Sequence, residues 1–409
     1  VTLDDTPASL RPLHISMLAP FGIRPKGTLA ARMLPLAQAL ARRGHTVRIA
    51  APPVQNPHDA GRRVVYAGVA VTHTALPRLP GPAHVAQQVF ALLRLGLAEQ
   101  PDVLHLFKPK GYSGLAALLA RAVRPRLPLV LDTDDWESWG GWNDLLPYPY
   151  PAKLLFAWQE RDLPRRADAV TVVSRTLEAQ VHGFGVPPAR VVYLPNGMRS
   201  AELSVMRDEL ITPVMHTANR KPQTVLLYTR FWEFDVADVV AALVGILARF
   251  PLARLLVIGR GERGEERELL RLAARAGILA AIDYHGWAEP DAIPALLASA
   301  DLALVPMNDT LINRARGLAK LLELMAAGLP IVAGRVGQVA EYLEDGRSGV
   351  LVAPGDPGAL ARGALTLLSD PALRVRMGRA AQARVAEQYT WEHLALQAER
   401  AYAIALRHA

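Results

Sequence analysis

The feature that most constrains this chain is an alternation of short apolar runs with runs of helical period, kept up, lost once and then resumed. Leu13–Ala19, Thr46–Ala51, Val103–Leu106, Leu129–Asp132, Ala169–Val173 and Val191–Leu194 read as strands. A helix from Thr28 to Arg43, stopped by Gly44, separates the first two. Residues 198–223 lose the rhythm and read as an inter-domain connection. It restarts at Thr224–Tyr228 and runs through Leu255–Ile258, Ala281–His285, Leu302–Pro306, Pro330–Ala333 and Gly349–Val352. Helices Val236–Arg249, Glu265–Ala276 and Gly317–Ala327 fall between these strands, and from Pro371 onward the chain is helical with few breaks. Strands alternating with helices build parallel sheets, so the pattern predicts two tandem α/β sheets rather than one large one. Ligands in such folds bind at the carboxyl ends of the strands, which here predicts a site between the domains.

The length agrees: 409 residues exceed one ordinary core and suit two domains of about 200 residues each. With 51% apolar residues the chain is globular, and with no cysteine it forms neither disulfides nor thiolate metal sites. Residues 1–12 are polar and mixed, and no apolar run reaches the roughly 18 residues of a membrane span. The expectation is a cytoplasmic protein, soluble or peripheral at the inner face of the membrane. Net charge is +8, unevenly placed. Residues 1–200 hold 23 Lys and Arg against 14 Asp and Glu, whereas the remainder holds 23 against 24. A basic half beside a neutral one suits a surface facing something anionic, such as a lipid headgroup or a phosphate. An Arg-rich composition without functional meaning is the plain alternative, and no aromatic-basic motif of a nucleic-acid module is present.

The segment Gly317-Leu-Ala-Lys320-Leu-Leu-Glu323-Leu-Met-Ala-Ala-Gly328-Leu-Pro330 carries the clearest chemistry. A glycine opens an amphipathic helix, and free N–H groups with a positive dipole at a helix start suit a phosphate. Glu323, one or two turns in, can accept hydrogen bonds from sugar hydroxyls. Only six lysines occur in the chain, so Lys320 is not there through abundance. The combination points to a nucleotide-sugar site.

Several segments in order resemble the retaining family 4 glycosyltransferases of the GT-B fold. Asp102-Val-Leu-His105 resembles a "DVVH" strand, and Ala167–Ser174 with Leu194-Pro195-Asn196-Gly197 resembles an "AD-x-x-x-x-x-S … PNG" segment. Gly286 stands where the family receives the base, and Lys320–Pro330 resembles "K-x-x-E-x-M-A-x-G-x-P". The resemblance implies two tandem Rossmann-like domains with an inter-domain cleft: residues 1–200 for the acceptor, 201–385 for the donor, and a helix at 386–409 packing back on the first domain. It implies transfer of a sugar from a UDP- or GDP-sugar to an acceptor hydroxyl with retention, without a divalent metal or other cofactor. Glu323 would hold the ribose, and backbone at Arg316, Gly317 and Leu318 the sugar or pyrophosphate. Arg230 would bind phosphate through its planar fork, with Lys26, Gly27 and Lys320 adding to the donor site. Gly259, Gly261 and Trp287 would line it.

The chain departs from the family pattern in three places. No Lys follows Arg230, where the sequence reads Phe231-Trp-Glu-Phe-Asp235, leaving Lys320, Arg314 or Arg316 to substitute. The first of the family's two glutamates falls on Ala315. The strand-end His of many members is replaced by Asp132-Thr-Asp134-Asp135-Trp136-Glu137.

Four carboxylates within six residues repel one another and demand a cationic balance. Asp134 and Asp135 are the candidates for contact with the acceptor hydroxyl or donor sugar; a metal-binding DxD and a helix N-cap with solvated acids are the alternatives. Gly259-Arg-Gly261-Glu-Arg-Gly264 has the form of a dinucleotide fingerprint, which keeps an NAD-dependent oxidoreductase or epimerase as a rival. A non-catalytic sugar-binding relative is the other. Trp136, Trp139, Trp142, Trp158, Tyr148 and Tyr150 could line a lipid-acceptor groove or simply pack under a long loop. The apolar stretch His84–Leu97 reads first as a core helix and second as a membrane contact. His45 and His105 read as structural. The basic, Trp-rich first half tilts the acceptor towards a lipid-linked or cell-envelope glycan precursor.

Overall fold

The computed structural model describes residues 10–24, 27–211 and 222–408. They form two compact units, the first made of residues up to Gly197 with Ala315–Gly317 and Trp391–Ala409, the second of Met198–Arg314 and Leu318–Thr390.

The first unit holds one eight-stranded sheet. Its strands are β1 (His14–Leu18), β2 (Thr46–Ala51), β3 (Arg63–Tyr66), β4 (Val69–His73), β5 (Val103–Phe107), β6 (Leu129–Thr133), β7 (Ala169–Val172) and β8 (Val191–Tyr193). The spatial order is β3-β4-β2-β1-β5-β6-β7-β8, and every pair is parallel except β3 with β4. Strands β5, β6 and β7 are buried along their whole length, as expected of a parallel sheet covered on both faces. One face packs the helices Leu34–Arg42 and Trp391–His408 around Leu36, Leu40, Trp391 and Tyr402. The other packs Pro82–Leu97 and Gly111–Val123 around Leu92, Leu106, Ala117 and Leu131.

Sequence and structure differ at the β3–β4 hairpin, which the periodicity does not reveal. Its turn is Ala67-Gly68, with φ of 47° and 88°. Two successive positive φ values are what a two-residue hairpin turn needs, but Ala-Gly lacks the Asn or Asp that flags one. The first helix also begins differently: Leu29–Met33 is a π-helical turn running into Leu34–Arg42. His45 and His105 are core residues. His45 Nδ1 accepts from the Leu13 amide at 3.1 Å, and His105, pushed down to about 4 by burial, has Nδ1 3.0 Å from the Tyr402 hydroxyl.

The second unit holds a six-stranded, wholly parallel sheet of β9 (Thr224–Tyr228), β10 (Arg254–Ile258), β11 (Ile282–Gly286), β12 (Leu302–Val305), β13 (Ile331–Gly334) and β14 (Val350–Val352). The order is β11-β10-β9-β12-β13-β14. Helices Val236–Leu247 and Pro357–Ser369 cover one face, while Ala319–Ala326 and Pro371–Gln388 cover the other. Part of the segment read as a connection is a helix, Ser200–Ile211, whose Leu203 and Met206 join the second core.

In each sheet the strand order reverses once, between β1 and β5 in the first and between β9 and β12 in the second. Neighbouring connections leave such a point in opposite directions and open a crevice at the carboxyl ends.

Candidate active site

In the first unit the crevice gathers side chains from the loops after β1, β5 and β6. Asp132, at the end of β6, is fully buried. It accepts from Arg32 Nε at 2.8 Å and Nη2 at 2.6 Å, and from Thr171 Oγ1 at 2.6 Å. Arg32 further donates to the carbonyls of Leu194 (2.7 Å) and Pro195 (3.2 Å) and to Asn196 Oδ1 (3.0 Å). Asp132 is therefore a structural residue that ties the first helix to the Pro195-Asn196 loop. With both oxygens engaged it does not act as one arm of a metal-binding DxD.

Asp134 and Asp135 are brought together with Lys108. The lysine pairs with Asp135, lies 3.3 Å from Asp134 Oδ1 and 3.1 Å from Glu137 Oε1. Lys110 pairs with Glu137, and its ammonium lies 4.7 Å from the Tyr148 ring centroid. Burial disfavours a charged lysine, but the three carboxylates reverse this and hold Lys108 well above its ordinary range. Burial likewise works to raise Asp135, yet the Lys108 charge and hydrogen bond leave it below the usual carboxylate range. Asp134 goes the other way, pushed up to about 7 mainly by burial. Its Oδ2 accepts from Thr28 Oγ1 at 3.0 Å, whereas its buried Oδ1 accepts no hydrogen bond.

The N-cap alternative does not hold, because no helix starts at 132–137; the next is the short turn Trp142–Leu145. Lys108 has a φ of 55°, left-handed for a lysine, and such strain persists only where the surroundings impose it. Sequence reasoning missed Lys108, Lys110, Arg32 and Thr28. Two of the chain's six lysines in one Lys-Pro-Lys after a strand were the available signal. Gly27 heads the first helix and is exposed; Lys26 lies outside the described residues.

In the second unit Arg230 follows β9 and is exposed, while Lys320 and Glu323 lie on the helix Ala319–Ala326. Tyr228, the last residue of β9, joins them. Its hydroxyl hydrogen-bonds to Glu323, its ring lies 4.2 Å below the Lys320 ammonium, and Arg230 is close enough to act on its charge. Burial and Glu323 together raise Tyr228, so it stays a neutral donor to the carboxylate. Of the cations that could stand in for the family's lysine, Lys320 lies in this group, whereas Arg314 is engaged by Asp309 at 2.6 Å.

Several expectations need correction. The helix begins at Ala319, and the Leu318 amide donates to Gln338 Oε1 at 2.8 Å, so it does not stand free for a phosphate. Arg316 and Gly317 fall in the three-residue stretch that clusters with the first unit. The Gly259 amide donates to the Gly286 carbonyl at 2.7 Å, and the Gly261 amide to Glu266 Oε2 at 3.1 Å. The Arg263 amide donates to Glu265 Oε2 at 2.8 Å. The glycine-rich turn thus spends the Gly261 and Arg263 amides on carboxylates of its own helix, amides that a dinucleotide fingerprint would offer to a pyrophosphate. Gly259 is required for another reason: its φ is 131°, and a Cβ there would overlap the Thr229 carbonyl. Trp287, just after β11, is 65% exposed and donates to Glu289 Oε1 at 3.3 Å.

The family models decide the assignment. Residues 27–197 match the glycosyl transferase 4-like domain and residues 222–370 match the glycosyl transferases group 1 domain. The chain belongs to the group 1 glycosyltransferases. Over 398 residues this glycosyltransferase is 29% identical to the phosphatidyl-myo-inositol mannosyltransferase of Mycobacterium leprae, covering 95% of the chain and 96% of the relative. It is 31% identical to a glycogen synthase of Mycobacterium tuberculosis over 212 residues, 51% of the chain and 50% of the relative. Among solved structures, sucrose-phosphate synthase from Thermosynechococcus elongatus superposes with a TM-score of 0.71 at 21% identity, over 98% and 100% of the two chains. Anabaena HepE in complex with UDP and glucose gives 0.69 at 16% identity, over 95% and 98%. These two likenesses concern the fold, which is of the GT-B class with two Rossmann-like units.

Proposed function

We propose that this glycosyltransferase moves a hexose from a nucleoside diphosphate sugar to a hydroxyl of a lipid-linked polyol or glycan precursor, with retention and without a metal ion. The observation that carries the reading is the grouping of Glu323, Tyr228, Lys320 and Arg230 around the switch point of the second sheet. In this reading Glu323 holds the ribose hydroxyls, oriented by Tyr228. Arg230 and Lys320 face the diphosphate, where negative charge grows as the bond from the anomeric carbon to the phosphate oxygen breaks. The acceptor oxygen forms the new bond to that carbon, and its proton passes to the departing phosphate oxygen. Asp134 Oδ1, with its hydrogen-bonding capacity unspent, accepts from the acceptor hydroxyl and aligns it.

Full-length likeness to phosphatidyl-myo-inositol mannosyltransferases supports a lipid-linked acceptor. Among the described residues no helix is long and apolar enough to cross a membrane. Peripheral contact fits the helix Pro82–Leu97, which buries Val89 and Leu92 but leaves Val85 and Phe90 exposed.

Thermal shift with UDP, GDP, ADP and NAD, each with and without EDTA, tests the donor assignment. Stabilisation by one nucleoside diphosphate, unchanged by EDTA, is expected. Stabilisation by NAD alone would overturn the reading, and no shift at all would favour a non-catalytic relative. The anomeric configuration of the product, read by NMR coupling constants, tests retention.

A further inference from the structure

The first sheet has a second opening. A cavity of about 210 Å³ runs along β2 beside β1 and β4 and under the end of the helix Pro82–Leu97, lined by His14, Arg48, Arg63, Gly68, Ala70 and Glu99 among others. The β3–β4 hairpin leaves it open by placing small residues there: a Cβ at Gly68 would meet nothing within 4 Å. The volume is below the roughly 300 Å³ of pockets for drug-sized ligands but ample for a few water-sized groups.

Its charge is poorly balanced. The Arg48 side chain is 18% exposed, and burial lowers its affinity for the proton from the ordinary value. Its partners are distant: Glu99 at 3.4 Å, itself largely exposed, and the Gly96 carbonyl at 3.5 Å. A guanidinium drawn from water normally has shorter and better-buried partners. Among the described residues, the Arg63 side chain makes no hydrogen bond or ion pair, and the His14 ring has only the nearby Asp102 charge, already engaged by Arg11. The rim is strained as well, since Glu99 and Gln100 both have left-handed φ, 56° and 49°. Two such residues in succession, neither of them glycine, are held there only at a cost, and strain of this kind gathers at ligand sites.

We propose that this cavity binds a small phosphate-bearing anion, with the fork of Arg48 on two of its oxygens and Arg63 and His14 closing over it. Guanidinium geometry matches phosphate oxygens in pairs, which a lone ammonium would not. The site is separate from the group around Lys108 and Asp134, none of whose residues lines the cavity.

The test is a titration of the full chain followed by the backbone amide resonances of Gly68, Ala70 and Glu99, using inorganic phosphate and glycerol phosphate as probes. A parallel titration uses phosphatidylglycerol vesicles at the same phosphate concentration. Saturable shifts at these amides are expected. R48M should weaken them at least tenfold, R63M about threefold, and R230A not at all. Shifts with the soluble probes assign a free anion; shifts with vesicles alone assign the same phosphate chemistry to a lipid headgroup. Unmoved amides with every probe overturn the proposal, as does equal affinity in wild type and R63M. The exposed Arg63 makes the second variant decisive if R48M does not fold.

Discussion

Arg32 closes both oxygens of Asp132, with Nε 2.8 Å from Oδ1 and Nη2 2.6 Å from Oδ2, in a pocket from which both side chains are excluded from solvent. Removing one member of such a pair leaves the other charged and buried, typically at a cost of about 3–5 kcal/mol. R32M should therefore lower the urea midpoint of the first unit sharply. The double variant R32M/D132N should recover part of the loss, because it removes the stranded charge. Equal destabilisation by the single and double variants would count against the pairing as the source of the effect.

Asp134 sets a pH signature. The folded chain holds its proton more tightly than the unfolded chain, the group rising from 3.8 to about 7. Well below pH 3.8 both states are protonated and the residue is neutral to folding. As pH climbs to about 7, ionisation increasingly favours the unfolded chain, and above that the penalty is constant. D134N removes it. The variant should be more stable than wild type at pH 8, by at most about 4 kcal/mol, and converge with it as the pH falls below about 3, as read from urea midpoints. Its turnover should fall at least tenfold with nucleotide affinity within about twofold. Unaltered turnover would remove Asp134 from the acceptor side.

Glu323 and Tyr228 should act in graded fashion on the donor. A hydrogen bond to a charged group is worth about 1.5–3 kcal/mol. E323A should thus weaken nucleoside diphosphate binding by about tenfold or more in calorimetry. Y228F leaves the carboxylate but frees its orientation, so a loss of about threefold in affinity with little change in kcat is expected. Wild-type affinity in E323A would dissociate this helix from the donor.

Gly259 and Gly277 separate two kinds of glycine requirement. Both have positive φ, but a Cβ at Gly277 meets nothing within 4 Å while one at Gly259 would overlap the Thr229 carbonyl. G277A should cost only the backbone strain, about 1 kcal/mol. G259A must in addition push apart the ends of β9 and β10 and should cost several-fold more, measured as the drop in Tm.

Phe90 offers a check on membrane contact. It is 60% exposed on a helix whose opposite side is core. F90D should leave Tm unchanged and reduce sedimentation with anionic vesicles; unchanged sedimentation would argue against this helix as the contact.

What the sequence disclosed follows from which interactions are local. Parallel strands such as Val225–Leu227 are buried on both faces and show as continuous apolar runs, and Glu323 is legible because its helix carries a motif. The β3–β4 hairpin escaped because an edge pair with exposed Val64 and Val65 lacks that signature. Lys108 escaped because its meaning is relational. Its partners stand 26 to 29 positions away, on the end of a different strand, and only the sheet order brings them together. The glycine-rich turn misled for the converse reason: its backbone has the right form, but Glu265 and Glu266 fill it from within.

The helix Trp391–His408 supplies Trp391, Leu394, Tyr402 and Ile404 to the core of the first unit, although the whole second unit precedes it in the chain. During synthesis the half that emerges first must therefore wait for residues 391–408 to leave the ribosome before its interior can close. The half made later has all its elements out of the ribosome before that helix follows, and can complete first. Chains arrested before Trp391 should show this as protease resistance confined to the second unit; a resistant first unit would mean that its sheet closes without the returning helix.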